Sequence, residues 1–147
     1  MRILCVCLGN ICRSPTAEAV LRHMAGSLAE IDSAGTGGWH VGKPPYGPAI
    51  DAARLRGYDL MPLRARQFQP SDYTAFDLIL AMDRQNLADI EAQRPPGHST
   101  PVRLLLEYAP ELGLQDVPDP YYTGDFEGAL DLIESAMRGL VASLKEA

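Results

Sequence analysis

A whole supersecondary unit is written into residues 3–15. Ile3-Leu4-Cys5-Val6 is an uninterrupted apolar run, the pattern of a parallel strand buried on both faces. Cys7-Leu8-Gly9-Asn10-Ile11-Cys12-Arg13-Ser14 follows it directly. Ser14 is a good N-cap and Pro15 a favoured first helical residue, so a helix is expected immediately after Arg13. A strand that passes through a tight loop into a helix N-terminus aims free N–H groups and the positive end of the helix dipole at one point. Such a unit commits a chain to a parallel α/β arrangement with an anion cradle at the carboxyl end of the strand.

The residue types in that loop suit a phosphate monoester dianion. Amides of Leu8, Gly9, Asn10, Ile11, Cys12 and Arg13, with the Ser14 hydroxyl, offer donors to its oxygens. Arg13 adds a planar fork that matches two oxygens at once, which lysine cannot do. The same positive field favours thiolate over thiol at Cys7. A thiolate beneath a phosphate can attack phosphorus and form a phosphocysteine, splitting one hard step into two easier ones. Gly9 permits a tight turn, and Asn10 is among the few non-glycine residues that tolerate positive φ. Cys5, in mid-strand, reads as a small core residue.

The rest of the chain alternates strands and helices. Ala17, Val20, Leu21, Met24 and Leu28 recur at helical spacing and form the core face of a first helix. Glu30 to Ala34 is a second strand, and residues 35–48, rich in glycine and proline, form a long loop that holds Trp39. Pro48 opens a helix that Gly57 ends. Phe76 to Met82 is a central strand, and Asp83 caps a helix running to about Gln93. Pro101 to Leu106 is the fourth strand. After a proline-bracketed loop comes a long amphipathic helix with Phe126, Leu130, Ile133, Met137, Leu140 and Leu144 turned inward. This alternation predicts a parallel sheet with helices on both faces, with Cys7 and Asp83 at its carboxyl rim.

Length and composition set limits. The 147 residues suit one domain spanning 1–147, large enough for a proper core. A net charge of −6 without a Lys/Arg run gives no support to nucleic acid or anionic membrane as partner. The apolar stretch after Met1-Arg2 is too short for a signal peptide or a membrane span. Three cysteines within one short stretch make no disulfide framework, and a free thiol must survive, which points to the reducing cytoplasm. Cys5, Cys7 and Cys12 have neither zinc-site spacing nor a fourth ligand, and His23, His40 and His98 are scattered, so no metal and no cofactor is expected.

These motifs resemble the low-molecular-weight protein tyrosine phosphatase family over essentially the whole chain. The run from Cys7 to Pro15 matches the family's phosphate loop, and Asp119-Pro120-Tyr121-Tyr122 matches its second signature. The resemblance implies a flavodoxin-like, four-stranded parallel sheet in order 2-1-3-4. It implies hydrolysis of a phosphotyrosine protein substrate through a cysteinyl-phosphate, with inorganic phosphate as product and without a metal. It nominates Asp119 as general acid and later base, between Pro118 and Pro120, which stiffen the segment. Ser14 resembles the hydroxyl that stabilises the thiolate, and Asn10 with Ser33 the pair that holds the loop's shape. Leu8, Ile11, Trp39, Tyr121 and Tyr122 match positions lining the substrate pocket, where aromatic rings would pack on a phenyl ring. In relatives with a second loop cysteine, oxidation links it to the nucleophile, which implies a reversible Cys7–Cys12 disulfide.

The chain departs from the family at Leu63, where many relatives carry a histidine that supports the loop's outer hydrogen bonds. Several rival activities are separable by residue. Arsenate reductases of this fold relay oxidation through distal cysteines, and none follows Cys12. Phosphocarriers with a similar loop lack the arginine and the acid. Related protein arginine phosphatases tend to carry Thr where Ile11 stands, which favours phosphotyrosine here. A non-catalytic phosphotyrosine-binding module predicts loss of Cys7 or Asp119, and both are present.

Overall fold

The alternation of elements closes into one parallel sheet. The computed structural model describes residues 1–146. The strands are β1 (Arg2–Cys7), β2 (Glu30–Gly35), β3 (Leu78–Ala81) and β4 (Val102–Leu104), hydrogen-bonded in the order β2-β1-β3-β4. Every pairing is parallel, with Cys7 opposite Gly35 and Val6 between Ala34 and Ala81. The helices are α1 (Arg13–Ala25), α2 (Gly47–Arg54), α3 (Asp72–Ala75), α4 (Arg84–Glu91), α5 (Pro120–Thr123) and α6 (Phe126–Glu146). This is the order and topology expected. The chain leaves β1 to one side for β2 and returns on its other side as β3. Cys7 therefore ends the strand at which the order reverses, the place where open α/β sheets bind ligands.

The apolar run of β1 is buried on both faces because both faces carry helices. Successive side chains alternate. Ile3, Cys5 and Cys7 enter the larger core with Val20 and Leu21 of α1 and Leu130, Ile133 and Met137 of α6. Leu4 and Val6 enter the smaller one with Phe68, Tyr73, Phe76 and Ile90. Each fully buried Leu or Ile contributes about 1.5–3 kcal/mol, so the strand bearing Cys7, paired on both sides, is firmly seated in the sheet. No helix among the described residues is long and apolar enough to cross a membrane.

Several boundaries differ from expectation. α1 begins at Arg13, and Ser14 is its second residue, not its N-cap; Cys12 holds the cap position without a side-chain bond. The Ser14 hydroxyl is drawn into the loop instead. Pro15 still fits, since the first turn has no use for its missing N–H. α1 stops at Gly26, whose φ of 55° breaks the helix, so Leu28 lies in a 3-10 turn and is exposed, not core. The third and fourth strands are shorter than their apolar runs. After Leu104 the chain turns into a 3-10 segment, Leu105–Tyr108, which buries Leu105 and Leu106 without a ladder. α6 turns its expected face inward, with Leu130, Ile133, Met137 and Leu140 buried and Phe126 and Leu144 partly so.

Candidate active site

The loop between β1 and α1 folds around the Cys7 sulfur. The Asn10 N–H lies 3.3 Å from Sγ and the Ser14 Oγ 3.0 Å from it. Asn10 Nδ2 donates to Ser14 Oγ at 2.7 Å, so that oxygen already accepts one proton. Its own hydrogen is then free for the sulfur, which is nearer than the alternative acceptor, the Ala34 carbonyl at 3.4 Å. Asn10 adopts a left-handed φ of 56°, alone among the described non-glycine residues. Gly9 does not; its missing side chain makes room for His40, whose Cδ2 would lie 3.0 Å from a Cβ there.

A buried polar chain supports the loop from below. Asn10 Nδ2 also donates to Ser33 Oγ at 3.0 Å, and Ser33 donates to Glu18 Oε1 at 2.6 Å. The other Glu18 oxygen meets Arg22 at 2.6 Å. Burial raises the Glu18 carboxyl above its ordinary range, against the pull of Ser33 and Arg22. Asn10 Oδ1 accepts from the Arg66 N–H at 3.0 Å. Leu63 packs against the larger core, and Asn10 is fully bonded without a side chain from that position. Above the loop, the Thr36 and Gly37 N–H groups bond to the Cys7 and Leu8 carbonyls. That approach needs Gly35, because a Cβ on it would stand 2.7 Å from the Leu8 oxygen.

What remains free is a ring of donors. The N–H groups of Gly9, Ile11, Cys12 and Arg13 have no acceptor among the described residues. Arg13 is almost wholly buried, with one terminal nitrogen bonded to Asp83 Oδ2 at 2.7 Å and the Val117 carbonyl at 2.9 Å. The other terminal nitrogen approaches Asp119 Oδ2 at 3.4 Å, and Nε has no partner at all. Burial works against the guanidinium charge, but Cys7, Asp83 and Asp119 outweigh it, so Arg13 holds its proton more tightly than usual. Asp83 serves twice, since its Oδ1 caps α4 through the Asn86 N–H at 2.7 Å.

Asp119 comes from the far end of the chain. It caps α5, accepting from the Tyr121 N–H at 3.1 Å, and lines the same cavity as Cys7. That cavity, about 340 Å³, is walled by Leu8, Gly9, Ile11, Cys12, Trp39, His40, Tyr121 and Tyr122. All five expected pocket residues are therefore gathered at its wall. Trp39 and Tyr122 are largely exposed at the rim and Ile11 is buried in the wall. Asn10, Ser14, Ser33 and Asp83 lie behind the cavity, holding the loop and the arginine.

Sequence reasoning missed Glu18, Gly35, His40 and the Val117 carbonyl. Glu18 falls on the apolar side of α1 next to Ala17, a signal that was available: a carboxylate there needs a partner. The others have no local signature. Among the described residues no cluster of three or more His, Cys, Asp or Glu side chains is arranged to hold a metal ion.

Comparison with known proteins agrees with this geometry. The family model described as low molecular weight phosphotyrosine protein phosphatase matches residues 2–147. The chain is 40% identical over 149 residues to the low molecular weight protein-tyrosine-phosphatase YfkJ of Bacillus subtilis, covering 98% of this chain and 96% of that protein. The crystal structure of YfkJ matches with a TM-score of 0.91 over 99% of this chain and 95% of that one. The Streptomyces coelicolor low molecular weight protein-tyrosine-phosphatase is 44% identical over 157 residues, spanning 99% of this chain and 94% of the relative. A Drosophila arginine phosphatase also matches, at 30% identity and a TM-score of 0.91, covering 99% of this chain and 98% of that one.

Proposed function

The chain belongs to the low molecular weight phosphotyrosine protein phosphatase family, and we propose that it hydrolyses phosphotyrosine through a cysteinyl-phosphate. Cys7 is the nucleophile, Arg13 the phosphate fork and Asp119 the general acid and then base. The observation that carries this reading is the unpartnered, buried Nε of Arg13 beside a ring of unpartnered loop amides. Buried donors without acceptors are costly, about 1–3 kcal/mol each, and a phosphoryl group at the Cys7 sulfur supplies the missing acceptors.

In the first step Cys7 Sγ attacks phosphorus, the ester P–O bond breaks, and the Asp119 proton goes to the departing phenol oxygen. Charge gathering on the phosphoryl oxygens meets the amides and Arg13, which are already in place and need no reorganisation. In the second step water attacks the phosphocysteine and gives its proton to Asp119. Inorganic phosphate leaves and the Cys7 thiolate is restored, held by Ser14 Oγ and the Asn10 N–H.

The arginine phosphatase match makes phosphoarginine the second reading, because the fold is common to both. Ile11, buried in the wall of the cavity that Trp39 and Tyr121 also line, favours an aromatic ring over a guanidinium. Hydrolysis of 4-nitrophenyl phosphate at mildly acidic pH with a chelator present tests the mechanism. Activity in the wild type, none in a folded Cys7→Ser variant and, after denaturing quench, a phosphate on Cys7 that is stable to alkali and labile to acid are expected. Faster turnover of phosphoarginine than phosphotyrosine would overturn the substrate assignment.

Cys12 shares the pocket. Burial, with the Asp119 and Cys7 charges behind it, pushes its thiol up to about 12, so it stays protonated at neutral pH. Peroxide converts Cys7 to a sulfenic acid, and the Cys12 thiol closes it to a disulfide with loss of water. Peptide mapping after mild peroxide should find Cys7 joined to Cys12 in enzyme that dithiothreitol revives.

A further inference from the structure

A second cavity, about 310 Å³, adjoins the first and shares Ile11, His40 and Tyr121 with it. Its remaining wall includes Lys43, Pro44 and Tyr46, and no carboxylate lines it. Its size falls within the ordinary range of ligand pockets, from about 300 Å³ upward.

The charge here runs against the rest of the molecule. The chain carries −6 overall, and most of its arginines are tied to carboxylates, as Arg13 is to Asp83, Arg56 to Glu127, Arg66 to Asp72 and Arg84 to Asp116. Lys43 has no ion-pair partner among the described residues, although acidic side chains outnumber basic ones. Its backbone is pinned on both sides: the N–H donates to the His40 carbonyl at 2.9 Å, and the carbonyl accepts from the Ala65 N–H at 2.9 Å. The far side of the wall is tied to the catalytic loop, since the Tyr46 N–H donates to the Ile11 carbonyl at 2.8 Å. Pro44 and Pro45 stiffen the stretch between. The Tyr46 and Tyr121 rings pack together with centroids 5.1 Å apart. The result is a preformed recess, apolar on two sides, with one uncommitted cation at its edge.

Resting on the phosphotyrosine reading above, we propose that this recess is a subsite for a residue flanking the phosphotyrosine, and that Lys43 selects a carboxylate side chain there. A phosphotyrosine ring in the first cavity passes its peptide backbone out between Trp39 and Tyr121. Ile11, His40 and Tyr121 form the shared wall over which a neighbouring residue enters the second cavity. An acidic flank there meets the Lys43 ammonium, and its methylenes lie on Pro44 and Tyr46.

The test uses phosphotyrosine peptides that differ only in carrying glutamate or lysine on either side of the phosphotyrosine. An exposed ion pair supports a preference of about threefold in kcat/KM for the glutamate peptides in the wild type. Lys43→Glu should reverse the order, moving the ratio by about tenfold, and about 0.5 M salt should erase it in both. The same ratio in wild type and Lys43→Glu overturns the subsite. Hydrolysis of 4-nitrophenyl phosphate, which has no flanking residue, reports the reaction separately. If the wild type fails on it, the proposed reaction falls and the subsite stands or falls on the same ratio in peptide binding affinity.

Discussion

Residues 7–14 and residues 115–122 face each other across one pocket, yet they are held in place in different ways. The first segment is buried and bonded within itself, through Asn10, Ser14 and the Cys7 sulfur; its backbone is stitched to residues 36, 37 and 46, and the Asn10 side chain accepts from the Arg66 N–H. The second is half-exposed and hangs from a few points, among them the 3.4 Å contact of Asp119 with Arg13. The Val117 N–H bonds to the Met82 carbonyl at 2.9 Å, the Val117 carbonyl accepts from Arg13, and Asp116 is gripped by Arg84 at 2.9 Å. The difference suits the two tasks proposed for them. A cradle for a dianion must be rigid before the charge arrives. An acid that serves a leaving group, and then a water, has only to be within reach of both.

This contrast is sharpest at Asp119. Asp119→Ala should slow hydrolysis of phenyl phosphate by roughly 10²–10⁴ while leaving the cradle intact. The loss should shrink steadily as the leaving group becomes more acidic. An equal loss across a leaving-group series would remove Asp119 from the acid role. Within the cradle, Arg13→Lys keeps the charge but gives up the fork and its bonds to Asp83 and Val117. Losing charge-assisted hydrogen bonds of this kind is worth about 3 kcal/mol, or roughly 10²-fold in kcat/KM. Because Arg13 also holds Val117, this substitution should loosen the second segment, and proteolysis near residue 117 in Arg13→Lys would show it.

Smaller effects separate the two segments further. Ser33→Ala strands a buried Glu18 oxygen and an Asn10 N–H, a cost of about 1–3 kcal/mol, seen as a Tm lower by roughly 5 °C. Its effect on rate should be the same for every leaving group, unlike that of Asp119→Ala. Asp116→Ala releases one tether only, and a fall in turnover of about twofold is expected, confined to poor leaving groups. The hydrogen bonds from Arg84 hold the Asp116 carboxyl below its ordinary value of 3.8. Its stabilising contribution is therefore complete above that value and is lost as the pH falls through the lowered one. The stability gap between wild type and Asp116→Ala should close on acidification. A rate loss for Asp116→Ala as large as that for Asp119→Ala would show the second segment to be as tightly preorganised as the first.

The cradle was legible because its parts are contiguous. Strand, turn residues, arginine and helix start lie within one short run, and each obeys a local rule of propensity or φ. Even so, the Ser14 cap was misread. The helix rule assigns a serine to the orphan N–H groups, whereas in the folded loop the same hydroxyl is claimed by Asn10 and the Cys7 sulfur. Leu28 failed for a similar reason. Helical spacing continued past Gly26, but the backbone did not.

Local chemistry by itself therefore determined the strand–loop–helix unit, the parallel α/β class and the residues proposed to bind and attack a phosphate, because these depend on neighbours in the chain. Tertiary structure decided what the loop rests on and what it faces. Glu18 and Ser33 meet under Asn10 because α1 crosses β2. Gly35 is indispensable because β2 ends against Leu8. Asp119 lines the same cavity as Cys7 because β1 and β3 lie side by side and Arg13 bridges to the segment beyond them. Those contacts join residues distant in sequence, and no local preference encodes a distance that only packing creates.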